Sequence, residues 1–438
     1  MKNLNNKNLN VQDINQLICV GLNYKISSIN IRERIAFTNI NIEKALQIMV
    51  KTKTIAGAVI VSTCNRVEIY AQINYKINYN KALFYSIIEN FFYKFHKLPN
   101  NFLKNHLYKY LGKSTIVHLF RVACSLDSLV VGEPQVLGQI KKFYLLANKM
   151  NSTSTLLNYI FAHSFITAKR VRRNTSIGKN AVTISFAAVE LAKKIFTTLN
   201  NKICLLIGAG EMGELSAQHI KRHGASITII NRSIEKSRTL ASRYECDFES
   251  FDNMEKLLCI VDVVLISTSA QYYLITKIMM QNIMPLRKYK PIFMVDIAVP
   301  RNIDPKALEI NGVFVYDIDD LGSVVGKNKK KREIESQHSE KIIQEEIFKI
   351  QQKLNIRKSI PLINAIKKHA NKIIINELNR KRLFNKSLEM KTEEERVKEI
   401  IHLIVKKILH VPIVKLKNKS QDDDSKQFLK MAKEIFLS

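Results

Sequence analysis

The chain has 438 residues, 46% of them hydrophobic, enough apolar material for more than one buried core and for about two to four domains. Its 69 Lys and Arg against 38 Asp and Glu give a formal net charge of +31, which favours a polyanionic partner such as nucleic acid, although a Lys- and Asn-rich coding bias produces the same excess. The longest apolar runs fall far short of the ~20 residues that a membrane-spanning helix needs, so no membrane segment is expected. Six cysteines without a C-x-x-C pair argue against a disulfide scaffold or a metal site and for a reducing, cytoplasmic setting.

Residues 1–15 read as a disordered leader, because the first ten are rich in Asn and Lys and carry neither a signal-peptide core nor a transit-peptide pattern. Residues 16–160 mix short β-type runs (Leu17 to Leu22, Ala58 to Val61, Val67 to Ile73) with amphipathic helical stretches, the pattern of an α+β domain.

Within that domain, Ser62-Thr63-Cys64-Asn65-Arg66 places a cysteine in a polar turn between two strands. Arg66 can help hold a thiolate, and Thr63 and Asn65 can donate hydrogen bonds; a structural cysteine remains the alternative. If the chain is extended beyond the turn, Cys64 and Arg66 project to one side, so that Arg66 holds a substrate carboxylate beside the attacking thiol. A weak surface pair of Arg66 with Glu68 is the other reading.

His118 falls on a probable helix and is either a proton carrier or a buried structural residue. In the stretch from Ser125 to Lys141, Pro134 suits the first turn of a helix. Gln135 and Gln139 then share one helical face near Ser128 and Glu133, placed either for substrate contact or for capping and solubility.

Helical periodicity through Phe165 to Arg173 and Val182 to Phe196 leads into residues 161–318. There, strand-like runs Ile203 to Ile207, Ile227 to Ile230, Val261 to Ser267, Ile292 to Asp296 and Val313 to Tyr316 alternate with helical segments, the signature of a doubly wound parallel sheet. The first strand turns into a helix through Gly208-Ala209-Gly210-Glu211-Met212-Gly213, a G-x-G-x-x-G turn suited to a dinucleotide pyrophosphate. At the end of the second strand, Asn231-Arg232-Ser233 stands where an NAD site usually carries an acid. A cation and a hydroxyl there favour the 2′-phosphate of NADPH.

Residues 319–355 predict one long helix, with Ile342, Ile343, Ile347, Ile350 and Leu354 at helical spacing. Residues 356–438 are also helical, and the stripe Ile400, Ile401, Ile404, Val405 and Ile408 needs a partner surface such as a second subunit.

Taken together, Ser62 to Arg66, Asp127 to Gln135, Gly138-Gln139, the Gly208 to Gly213 turn, Val295 to Arg301 and His410-Val411-Pro412 resemble the glutamyl-tRNA reductase family over about residues 16 to 415. The resemblance implies an α/β multidomain chain: an N-terminal α+β catalytic domain, a Rossmann-type NADPH domain, a long spinal helix and a C-terminal helical dimerisation domain forming a homodimer. It implies Cys64 as the nucleophile and His118 as important for activity. Thr63, Asn65, Arg66, Ser128, Glu133, Pro134, Gln135 and Gln139 become substrate contacts, and the Gly208 to Gly213 turn binds NADPH.

The implied reaction reduces glutamyl-tRNA to glutamate-1-semialdehyde through a Cys64 thioester, the first step of tetrapyrrole synthesis. A transient complex with a glutamate-1-semialdehyde aminotransferase follows from the family alone. Two rival readings are an NADPH oxidoreductase acting on a free small acid and a nucleotide-sensing, nucleic-acid-binding protein whose Cys64 is structural.

Overall fold

The structure is a computed structural model that describes residues 11–74, 81–177, 184–196, 198–324, 329–380, 391–420 and 425–437. These divide into two compact units, one built on Gln16–Ile343 and one on Gln344–Ser438 together with the residues up to Asn15.

In the first unit, strand β1 (Leu17–Asn23) leads through helices α1 (Ile29–Ile35) and α2 (Asn39–Lys51) to the hairpin of β2 (Ile55–Ser62) and β3 (Arg66–Ile73). Helix α3 (Lys81–Phe95), strand β4 (Tyr108–Leu111) and helices α4 (Lys113–Ala123), α5 (Gln135–Lys149) and α6 (Thr155–Asn174) complete the N-terminal domain. The four strands form an antiparallel sheet of order β2-β3-β1-β4, in which Cys19 of β1 lies opposite Tyr70 on one side and Tyr110 on the other. Side-chain caps start the helices: Thr38 accepts from the Asn41 amide ahead of α2, and Ser154 from the Leu157 amide ahead of α6. Pro134, at φ −63°, stands just before α5, as its fixed backbone angle favours.

Helix α7 (Ile184–Phe196) then precedes β5 (Ile203–Ile207), α8 (Glu211–Arg222), β6 (Ser226–Ile230), α9 (Ile234–Tyr244) and the short β7 (Asp247–Glu249). The second half comprises α10 (Met254–Leu258), β8 (Val263–Ile266), α11 (Lys277–Leu286), β9 (Ile292–Asp296), β10 (Val313–Asp317) and α12 (Ile318–Val324). All pairings are parallel in the order β10-β9-β8-β5-β6-β7, so the order reverses between β5 and β8 and opens a crevice at their carboxyl ends. One face of this sheet shares its core with the N-terminal domain: Ile29 and Val130 belong to the same buried cluster as Leu206, Val295, Ile318 and Leu321, with Cys64 and Leu129 packed against it.

Two expectations need correction. Residues 11–15 are not a disordered leader but part of a 3-10 turn, Val11–Gln16, which runs directly into β1; the first ten residues lie outside those described. Nor does the long helix end at residue 355. Helix α13 (Lys329–Arg380) runs for 52 residues through Pro361, and the missing proline N–H, a loss of about 3 kcal/mol, does not stop a helix of that length. The start of the expected helix at Val182 lies outside the described residues.

The second unit adds α14 (Lys391–Lys419) and α15 (Ser425–Leu437). Within the helical stretch expected over residues 356–438, α15 is amphipathic and places Ala432 in a small core with Ile366 and Leu416, against which Phe428 and Leu429 pack. Among the described residues no helix is long and apolar enough to cross a membrane.

Candidate active site

Cys64 sits at the tip of the β2–β3 turn. Thr63 N–H donates to the Arg66 carbonyl at 2.8 Å, and the Thr63 hydroxyl accepts from the amides of Asn65 and Arg66 at 3.3 and 3.2 Å, so Thr63 shapes the turn. The chain reverses here, so the alternation that would put Cys64 and Arg66 on one side of an extended segment does not apply. They nevertheless meet in one cleft, lined also by Thr63, Asn65, Ser128, Glu133, Gln139, Ile184 and Met212. The thiol of the N-terminal domain thus faces the first turn of α8 in the nucleotide domain.

Burial pushes the Cys64 thiol up to about 12, the Glu133 carboxylate adds to the rise, and Arg32 opposes it. The cation acting on the sulfur is Arg32, where the sequence suggested Arg66. Arg32 is wholly buried, and its Nε donates to the Cys64 carbonyl at 3.1 Å.

Arg66 is committed elsewhere. Its Nη1 pairs with Glu68 at 2.7 Å and its Nη2 donates to the Asp127 carbonyl, so the Arg66–Glu68 pair is a buried contact rather than a surface one. Burial works against the Arg66 charge, and Glu68, Tyr108 and Asp127 overcome it. Glu68 is fully buried and accepts from Arg66, Tyr70, Tyr108 and His118; although burial raises its carboxyl, Arg66 and His118 hold it well below the usual carboxylate range.

His118 Nε2 lies 2.8 Å from Glu68 Oε1, and its ring stacks on Tyr110 at 4.5 Å. It is not among the described residues lining the Cys64 cleft; its link to that cleft runs through Glu68 and Arg66. Cys19, Glu68 and His118 have ligand atoms within 4.8 Å of one another, a grouping no sequence spacing announces. The four donors on Glu68 make this a saturated hydrogen-bond network.

The remaining contacts divide. Ser128 and Glu133 are buried in the cleft, and the Ser128 carbonyl accepts from Tyr24 at 3.2 Å. Burial lifts the Glu133 carboxyl to about 7, a hydrogen bond from the Ile184 backbone opposes this, and Glu211 adds to it. Gln139 lines the cleft, whereas Pro134 and Gln135 do not; the Pro134 carbonyl accepts from Arg172 at 2.8 Å. Both polar atoms of the buried Gln135 amide lack a partner, as does Asn65 Oδ1. Buried polar atoms in this state cost about 1 to 3 kcal/mol each until something pairs with them.

The nucleotide cleft, of about 470 Å³, lies at the β5/β8 reversal and is lined by Gly208, Ala209, Gly210, Asn231, Arg232 and Ser233, all expected from sequence. Lys236, Thr268 and Ser269 line it too and were not foreseen. Gly208 has φ +108°, and a Cβ there would meet the Ser267 carbonyl at 2.2 Å; a Cβ on Gly213 would meet the Gly208 carbonyl at 2.3 Å. At Gly210 a Cβ would meet nothing, so the cradle is open where a pyrophosphate would approach. Glu211, Met212 and Gly213 do not line this cleft: Gly213 packs beneath the turn and Met212 lines the thiol cleft.

Three family models match the chain. The one described as Glutamyl-tRNAGlu reductase, N-terminal domain, matches residues 20–175; Shikimate / quinate 5-dehydrogenase matches 190–324; and Glutamyl-tRNAGlu reductase, dimerisation domain, matches 338–438. The glutamyl-tRNA reductase of Thermodesulfovibrio yellowstonii is 40% identical over 417 residues, covering 93% of this chain and 96% of the relative. That of Bacillus subtilis is 37% identical over 424 residues, covering 96% and 91%. Among solved structures, the glutamyl-tRNA reductase from Methanopyrus kandleri is 27% identical with a TM-score of 0.45, over 96% of this chain and 98% of that one.

Proposed function

The chain belongs to the glutamyl-tRNA reductase family, and on that premise we propose that Cys64 takes the glutamyl group of glutamyl-tRNA as a thioester, later reduced to glutamate-1-semialdehyde in the first step of tetrapyrrole synthesis. The observation that carries this reading is the shared cleft, in which the Cys64 turn, Glu133 and the α8 residue Met212 line one space.

Acylation joins the Cys64 sulfur to the glutamyl carbonyl carbon and breaks the ester bond, so the sulfur gives up a proton and the tRNA oxygen gains one. Glu133 is the residue placed to carry that proton, since its carboxyl titrates near neutrality in the same cleft. Arg66, fixed by Glu68 and Asp127, presents its remaining donor capacity to the substrate carboxylate. Asn65 Oδ1 is an orphaned polar atom in the same cleft, suited to the substrate's ammonium. Ser128 and Gln139 border the same space. We assign His118 to positioning, because its ring nitrogen is spent on Glu68.

A nicotinamide dinucleotide fits the Gly208–Gly210 cradle, and Arg232 with Lys236 makes NADPH the preferred form through its 2′-phosphate. When bound, NADPH supplies the hydride that reduces the thioester to the aldehyde and restores the thiol. The helical C-terminal residues that match the dimerisation model pair two copies, and an aminotransferase of the same route receives the reactive aldehyde.

The test omits the cofactor. Wild-type protein incubated with labelled glutamyl-tRNA should accumulate one glutamyl adduct on Cys64, and Cys64→Ser none, while both bind NADPH equally. Normal aldehyde formation by Cys64→Ser removes the thioester from the mechanism.

A further inference from the structure

Helix α1 is only seven residues long, yet two neighbouring side chains on it make ion pairs with the nucleotide domain. Arg32 donates from Nη2 to Asp319 Oδ1 at 2.6 Å and from Nη1 to Asp319 Oδ2 at 3.3 Å, while its Nε holds the Cys64 carbonyl and Nη1 also reaches the Ser27 carbonyl at 2.8 Å. Asp319 stands at the start of α12, beyond the last strand of the parallel sheet, and it also accepts from the Ile29 amide at 3.1 Å. One residue along, Glu33 takes Arg301 in a two-pronged pair, Nη2 to Oε1 at 2.9 Å and Nε to Oε2 at 3.1 Å. Arg301 belongs to the segment that follows β9.

The Arg32 pairing is asymmetric in a telling way. Arg32 is fully buried where the two domains meet, and the carboxylate that answers its charge comes from the other domain and is itself a third exposed. Withdrawing Asp319 leaves a buried guanidinium facing only carbonyl oxygens, an arrangement that buried ion pairs penalise strongly. Arg32, which grips the backbone of the nucleophile, therefore has its charge answered, among the described residues, by a carboxylate that the seated nucleotide domain supplies.

We propose that Arg32 and Asp319 form a latch, seconded by Glu33 and Arg301, that ties the Cys64 turn to the nucleotide domain and so commits the thioester to reduction rather than hydrolysis. These are positioning residues for the second half-reaction, and the inference rests on the thioester reading above. In hydrolysis, water oxygen bonds to the thioester carbon, the carbon–sulfur bond breaks, the sulfur takes one proton, and glutamate leaves with no electrons transferred. In reduction the same carbon receives a hydride in place of water, the carbon–sulfur bond breaks, and the sulfur takes a proton. A poorly seated nucleotide domain slows only the second route, since acylation needs no cofactor.

Asp319→Asn is the informative variant, because it removes the counter-charge without touching the Cys64 turn. In single turnovers of the full-length protein with labelled glutamyl-tRNA, cofactor-free adduct formation on Cys64 should stay within about two-fold of wild type. With NADPH present, the ratio of semialdehyde to free glutamate should fall roughly ten- to a hundred-fold, the scale expected when reacting groups are displaced by about an ångström. Glu33→Gln, at the second pair, should shift the ratio in the same direction by less, and it carries the test if Asp319→Asn does not fold. Acylation and reduction falling by the same factor, or an unchanged ratio in both variants, overturns the latch. A wild-type protein that never forms the adduct overturns the thioester reading itself, a result visible before either variant is made.

Discussion

Replacing Glu133 by Gln exchanges a carboxyl for an amide of nearly the same shape in a place where the carboxylate is costly. Burial holds this carboxyl at about 7 against an ordinary 4.5, which corresponds to about 3 kcal/mol at about 1.4 kcal/mol per pH unit. Because the folded protein binds the Glu133 proton more tightly than the unfolded chain does, the cost is absent below about pH 4.5, grows as the pH rises, and is complete above about 7. Glu133→Gln should therefore unfold in urea at a higher midpoint than wild type at pH 8, by up to about 3 kcal/mol, and show little difference at pH 4.5. The figure is an upper bound, since the new amide nitrogen needs an acceptor of its own. Catalysis should move the opposite way: cofactor-free acylation of Cys64 should rise through an inflection near pH 7 in wild type, and in the variant fall by about a hundred-fold or more with the inflection gone. A Gln variant that acylates at the wild-type rate and keeps the inflection refutes the assignment of Glu133 as the proton carrier.

Two further perturbations test the neighbouring assignments. His118→Ala removes one donor from Glu68, so stability should drop by about 1.5 to 3 kcal/mol while the pH 7 inflection of acylation stays in place; an inflection that disappears in this variant makes His118 the titrating base instead. Arg232→Ala should weaken NADPH binding by roughly ten-fold or more and leave NADH binding nearly unchanged, read by cofactor titration, and an unaltered preference removes Arg232 from the 2′-phosphate site.

The nucleotide domain was the most legible part of the chain, because each of its features is local. A buried apolar strand, the G-x-G-x-x-G turn and the Asn231-Arg232-Ser233 segment sit within about thirty residues of one another, and backbone sterics at Gly208 dictate the rest. Strand β7 escaped because its three residues, Asp247–Glu249, have no apolar run. In the N-terminal domain the sequence could name Cys64, Arg66, Glu133 and Gln139 but not their partnerships. Arg66 lies two residues from Glu68 and sixty-one from Asp127, and only the sheet and the Ser125 to Glu133 loop bring all three together. Arg32 carried no local signal at all, since an Arg-Glu-Arg run on a short helix looks like solvated surface until the fold buries one of its members.

The raised thiol of Cys64 looks at first like a defect in a nucleophile. At about 12, only about one thiol in 100,000 is ionised at pH 7, which leaves the resting site nearly inert toward oxidants and stray electrophiles. The two leading causes are burial and the Glu133 carboxylate, and a glutamyl ester changes the second directly. In the proposed acylation its ammonium group brings a positive charge into the cleft beside a buried carboxylate, and Glu133 loses its negative charge altogether once it takes the sulfur's proton. Each event weakens what holds the thiol protonated, while Arg32 continues to favour the thiolate. On that proposal, reactivity at Cys64 is conditional on a substrate that is both an ester and a cation, a pair of properties that an aminoacyl-tRNA has and a free acid lacks.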